Sequence, residues 1–147
     1  MASTPHHYLA EGASAGTRRE SVIYLASGTI VAGDVVMFDP SKTGTDRALF
    51  VIQAGNVGTG NALACGVALG SASAGERVEV VIAGYVEGVN CTAGTIVAGA
   101  ALAAASAAAG QVETSAPGDT AGIFGVAIEA KGAVTANKVA ILVKRQH

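Results

Sequence analysis

The chain has no tryptophan, only three prolines and only 4% aromatic residues, although half of its 147 residues are hydrophobic. A core made without large rings is assembled from Ala, Val, Ile and Leu, and small side chains each bury little area at about 25 cal/mol per Å². A monomer built this way is thinly stabilised, so contacts between subunits are expected to add what the interior lacks. Charge is also scarce. Nine Lys and Arg against eleven Asp and Glu leave a formal net charge of -2, which excludes the basic stripe of a direct nucleic-acid binder.

Cysteine is limited to Cys65 and Cys91, with no Cys-x-x-Cys spacing and no Cys/His cluster fit for zinc. Both read as free buried thiols in a reducing compartment, acting as small hydrophobes. No long run of Leu, Ile or Phe is present. The longest uncharged stretch, Asn90 to Val112, reaches spanning length, but it is mostly Ala, Gly, Ser and Thr, which insert poorly, so no membrane is expected. The N-terminus shows no basic region leading into an apolar core. The expectation is a protein made and used inside a cell, or in a particle assembled there.

What the chain does have is repetition. Gly-Thr-Ile-Val-Ala-Gly occurs at Gly28 to Gly33 and again at Gly94 to Gly99, and Gly66-Val67-Ala68-Leu69 is matched by Gly125-Val126-Ala127-Ile128. Short apolar runs separated by glycine turns predict strands. They fall at Ser21 to Leu25, Asp34 to Asp39, Arg47 to Gln53, Ala64 to Leu69, Arg77 to Ala83, Ile123 to Ile128 and Lys138 to Lys144. The fold class is all-β: a small barrel or sandwich of two similar β units, about 21–88 and 89–147, making one domain over 21–147. Residues 1–20 lack any sustained period and read as an extended N-terminal arm.

One segment sets two rules against each other. Ala100 to Ala109 is almost pure Ala and by propensity is the best helix in the chain. Yet it follows the second hexapeptide as Asp34 to Asp39 follows the first. Its place in the repeat predicts a strand, a turn near Gly110 and a returning strand at Gln111 to Thr114.

Searching for chemistry yields little. Gly12-Ala13-Ser14-Ala15-Gly16 matches the nucleophile-elbow pattern, with Asp119 and His147 following in hydrolase order, but the motif needs a strand before it and a helix after it. Gly55 to Gly60 lacks the Gly-Lys-Ser/Thr ending of a P-loop. His6 and His7 are adjacent, so in a strand they point to opposite faces and hold no metal together. The carboxylates are scattered among turns and strand edges and read as solvated faces and turn caps. No catalytic, cofactor-binding or metal-binding residue is expected, and the chain is not expected to be an enzyme. Composition makes the arm the candidate partner contact, through His6, His7, Tyr8, Arg18 and Arg19.

The order of these motifs resembles a known family. Ala26 to Phe38, followed by Ala64-Cys65-Gly66-Val67-Ala68-Leu69 and Arg77-Val78-Glu79-Val80-Val81-Ile82, is similar to the capsid cement or head decoration proteins of tailed bacteriophages, which have a β-tulip-like domain. The second half repeats the correspondence, and the resemblance covers Leu25 to Lys144. It implies a non-enzymatic structural virion protein, made in the host cytoplasm and bound to the outer capsid surface, commonly as a homotrimer. Its partner would be the major capsid protein, whose neighbouring subunits it clamps. The same glycine turn also resembles biotinyl and lipoyl carriers, but the required lysine setting is absent; Glu129-Ala130-Lys131 is the nearest approach. The alternative reading is a small-ligand or carbohydrate-binding β domain.

Overall fold

The structure, a computed structural model, describes residues 19–55, 63–105, 108–115, 123–132 and 137–144. Along the chain these form β1 (Arg19–Ala26), β2 (Val35–Phe38), a 3-10 turn (Gly44–Ala48), β3 (Phe50–Gln53), β4 (Ala64–Ala68), β5 (Arg77–Asn90), β6 (Ala101–Ala104), β7 (Val112–Thr114), β8 (Gly125–Ala127) and β9 (Lys138–Val143). The Ala-rich segment is therefore a strand from Ala101 to Ala104, turned at Gly110 and returned by β7. Burial of its small side chains against the sheet outweighs the intrinsic preference of Ala for helix.

The fold is an all-β barrel architecture. Neighbouring strands run β1-β3-β2-β4-β5, and β1 also pairs with β5, which closes a five-stranded barrel. From β5 the sheet continues β9-β8-β6-β7. A parallel bridge between Cys91 and Val112 then brings β7 back to the end of β5 and closes a second ring. Closure removes the unpaired edges that an open sheet would offer to other chains.

Strand β5 belongs to both rings. Its first half pairs with β1 and β4, its second half with β9, and Gly84, at a φ of 99°, sits where the pairing changes over. The sequence pattern predicts an end to this strand at Ala83, short of Gly84 and Gly88. Here they mark a changeover and a register shift between Val86 and Val89 inside one continuous strand, the usual role of glycine at a bulge.

The two rings use the same hydrogen bonds. Gly33 N–H donates to the Ala68 carbonyl at 2.9 Å, and Gly99 N–H to that of Ala127 at 2.7 Å. Ala68 N–H donates to the Asp34 carbonyl at 2.8 Å, and Ala127 N–H to that of Ala100 at 2.9 Å. Ser27 N–H reaches Val51 at 2.9 Å, as Thr92 N–H reaches Val112 at 3.0 Å. The interiors correspond too: Ile30, Val36, Val51 and Val80 in the first ring stand where Ile96, Leu102, Val112 and Ile141 stand in the second. The fully buried ring of each core comes from a different position. Tyr24 faces the first core where the second has Val89, and Phe124 faces the second where the first has Cys65, so each interior is filled from a different wall.

Boundaries elsewhere also differ from those the sequence predicts. Arg19 and Glu20, expected in the arm, are the first residues of β1. Arg47 and Ala48, expected in a strand, end the 3-10 turn, and β3 begins only at Phe50. The turn pairs Leu49 N–H with the Asp46 carbonyl at 3.1 Å, a local bond that the ladder would have had to displace.

Candidate functional site

Asp34 is the polar centre at which the two barrels meet. It follows the first hexapeptide directly, and it is only 4% exposed. Val31 N–H and the Gln53 side-chain amide donate to its Oδ2 at 2.8 and 2.6 Å, and the Asn90 amide donates to its Oδ1 at 2.8 Å. Lys138 Nζ in turn donates to Asn90 Oδ1. The cluster thus draws on the first turn, β3, β5 and β9. A buried carboxylate is tolerated only when its lone pairs are filled, and here both oxygens are.

The β6–β7 hairpin closes over this cluster. Gly110 donates to the Ala54 carbonyl and accepts from Val35 N–H, both at 2.8 Å. Its φ is 74°, and a Cβ there would lie 2.7 Å from the Asp34 carboxyl carbon, so glycine is what lets the hairpin approach. The sequence pattern predicts solvated faces and turn caps for the carboxylates. Asp34 does cap its turn, but it and Asp39 are both buried. Asp39 Oδ1 accepts from Ser41 N–H and Oγ at 2.9 and 2.7 Å. The cue that could have flagged Asp34 is a difference between repeats: the residue after the second hexapeptide is Ala100.

His6, His7, Tyr8 and Arg18 lie outside the described residues, as do Ser14, Asp119 and His147. Arg19 stands in β1 opposite Gly84, half-buried at the seam of the two rings. Lys131 is tied down, its Nζ donating to the carbonyls of Thr92, Ala93 and Gly94 at 3.1, 2.7 and 2.8 Å. That lysine braces the second hexapeptide turn, and it is not presented as a carrier lysine would be.

Both cysteines are free and buried. Burial pushes the Cys65 thiol up to about 12. Burial also raises Cys91, against the opposing charges of Lys131 and Lys138. Neither has the open setting of a reactive thiolate. Among the described residues no group of three or more His, Cys, Asp or Glu is arranged to hold a metal ion. No helix among them is long and apolar enough to cross a membrane.

A shallow cleft of about 240 Å³ is lined by Phe38, Asp39, Pro40, Lys42, Arg47 and Leu63. Its cations are partly engaged: Lys42 Nζ lies 4.5 Å from the centre of the Phe50 ring, and Arg47 Nε donates to the Lys42 carbonyl at 3.4 Å. At the opposite extreme of exposure stand Val31 and Val97, at 49% and 58%, on matching positions of the two hexapeptide turns.

The site and fold together define a double β-barrel with a buried polar joint. No protein-family model matches the chain, and no curated protein sequence matches it. A solved structure does share the fold: the head fiber gp8.5 N base of bacteriophage phi29 superposes with a TM-score of 0.53 at 18% identity, covering 86% of this chain and 94% of that one.

Proposed function

We propose that this chain is a structural virion protein that binds the outer surface of a bacteriophage head and stabilises it by clamping neighbouring major capsid subunits. The observation that carries this reading is the shared fold with a phage head fiber base over nearly the full length of both chains. The order of motifs in the sequence supports it independently. The physical design suits such a role, since two closed rings that share β5 and are locked by a buried joint form a stiff body able to carry load. The role is non-enzymatic, and the assembly is a homotrimer whose several weak contacts add by avidity. The arm, with His6, His7, Tyr8 and Arg18, contacts the capsid, where such a segment can add to a neighbour's sheet edge.

Cosedimentation with heads lacking the protein tests the reading. The expected result is saturable binding to intact heads and a raised temperature of head disruption. Absence of binding to heads from the phage that encodes the chain would overturn it. Removal of residues 1–18 is expected to weaken binding while leaving the barrel folded.

A further inference from the structure

The two barrels carry the same outer row of side chains, but only one row is covered. In the first barrel Val35 is registered with Val67, and Val67 with Val81. In the second barrel Ala101 is registered with Val126, and Val126 with Leu142. Because directly opposite residues in a sheet share a face, each set is one continuous stripe on the outside of its barrel. Val35, Val67 and Val81 are all 0% exposed and pack in one cluster with Val86, Leu102 and Val143 of the second barrel. Leu142, by contrast, is 47% exposed, with Val126 and Ala101 half-buried beside it.

Tyr85 extends the open stripe, since it is registered with Leu142 on the other side. Ile128, just past the end of β8, adds a further apolar side chain at 48% exposure. Polar residues border the stripe. Glu87 and Glu129 lie close enough to Tyr85 to raise its phenol further, after burial, which is the larger cause. An apolar centre with a charged border is the anatomy of a protein contact.

We infer that the Tyr85–Leu142–Val126–Ala101 stripe is the contact surface for a second copy of this chain. The occupant follows from the repeat. On the first barrel the stripe is covered by the second barrel, whose β6–β7 hairpin joins it through the Gly110 bonds to Val35 and Ala54. The unit that fits such a stripe is therefore another unit of the same kind. The internal contact is also head-to-tail, because the stripe of one unit meets the hairpin end of the next. Repeating that relation places the β2–β3 connection of a second copy, the counterpart of the β6–β7 hairpin, at the Ala101 end of the stripe, with the barrel behind it covering Val126 and Leu142. A head-to-tail contact uses two different surfaces, and closes into a ring when the rotation permits. The counterpart of Asp34 is Ala100, so this second contact is made without a buried carboxylate.

This face is argued from the repeat and not from the virion reading; it gives the homotrimer proposed above a location. The test is the solution mass of the full chain against the 14.3 kDa of one copy, by sedimentation equilibrium across a concentration series. The wild type is expected to be a multiple of that mass. Leu142→Glu is expected to raise the dissociation constant at least tenfold, whereas Ala74→Glu, on the exposed turn that precedes β5 in the first barrel, leaves it unchanged. A second readout does not depend on tolerance of a charge: a thiol introduced by Leu142→Cys, the native cysteines being buried, is expected to be labelled more slowly as protein concentration rises. A monomeric wild type, an unchanged mass for Leu142→Glu, or concentration-independent labelling would each overturn the inference. A chain that associates through this stripe yet fails to bind heads would sink the capsid reading alone.

Discussion

The first barrel and the second barrel share a hydrogen-bond plan but differ in how each is finished. The first has its outer wall sealed by the second and anchored by a buried Asp34. The second has Ala100 at that position and leaves Leu142 open. The comparison teaches that a duplicated unit becomes a single body through an asymmetric change: a carboxylate is introduced only on the copy whose wall is covered, where its lone pairs meet Gln53, Asn90 and the first turn.

Asp34→Ala should erase most of this difference. It strands the Gln53 and Asn90 amides and the Val31 N–H, and buried groups without partners cost about 1–3 kcal/mol each. A loss of roughly 3–5 kcal/mol in urea unfolding is expected, whereas Ala100→Gly on the other copy should cost about 1 kcal/mol or less. Equal losses at the two sites would show that the joint is not what distinguishes the barrels.

Next come the paired glycines of the matching strands. A Cβ on Gly66 would overlap the Val81 carbonyl, and one on Gly125 would lie 2.7 Å from that of Leu142. Both Gly66→Ala and Gly125→Ala are expected to destabilise by about 1–3 kcal/mol through overpacking. Thermal unfolding followed by circular dichroism measures both, and a neutral result at one alone would break the structural equivalence of β4 and β8.

The two stripes give the third contrast. Val81→Ala removes a fully buried side chain and is expected to cost about 2 kcal/mol. Leu142→Ala, in dilute protein where copies are separate, should cost within about 0.5 kcal/mol. The contrast sharpens if the Leu142→Ala cost grows with protein concentration, because the leucine would then be buried by association.

The last contrast is confined to alkaline pH: titration of the buried thiol. Cys65, raised to about 12 in the folded chain, ionises near 8.5 once unfolded. The unfolded state therefore sheds its proton first as pH rises. Stability from this group is complete below about pH 8.5 and declines towards pH 12, by up to about 1.4 kcal/mol per pH unit. Cys65→Ala is expected to flatten the alkaline limb of the stability profile, measured by urea unfolding at pH 8 to 10. Cys91, shifted in the same direction, contributes with the same sign.

Much of the barrel is readable from the order of residues, and the reason is periodicity. Glycine at the hexapeptide ends marks tight turns, Val and Ile alternate between them, and repetition of both identifies Ala101–Ala104 as a strand against its own propensity. The continuous strand β5 is less readable, because Gly84 and Gly88 have the same one-residue signature whether they end a strand or bend it. The joint is barely readable at all. Asp34, Gln53, Asn90 and Lys138 are separated by up to 104 residues in the chain, and nothing local tells Asn that its amide will meet a carboxylate.

The class of the fold, the duplication and the places where the chain turns follow from residue order alone, because these depend on local backbone freedom and on side-chain period. That the halves share a strand, that Asp34 is buried between them, and that one apolar stripe is sealed while its twin faces outward emerge only in the folded chain. Those outcomes depend on which distant surfaces exclude water from one another, and that is a property of the assembled body.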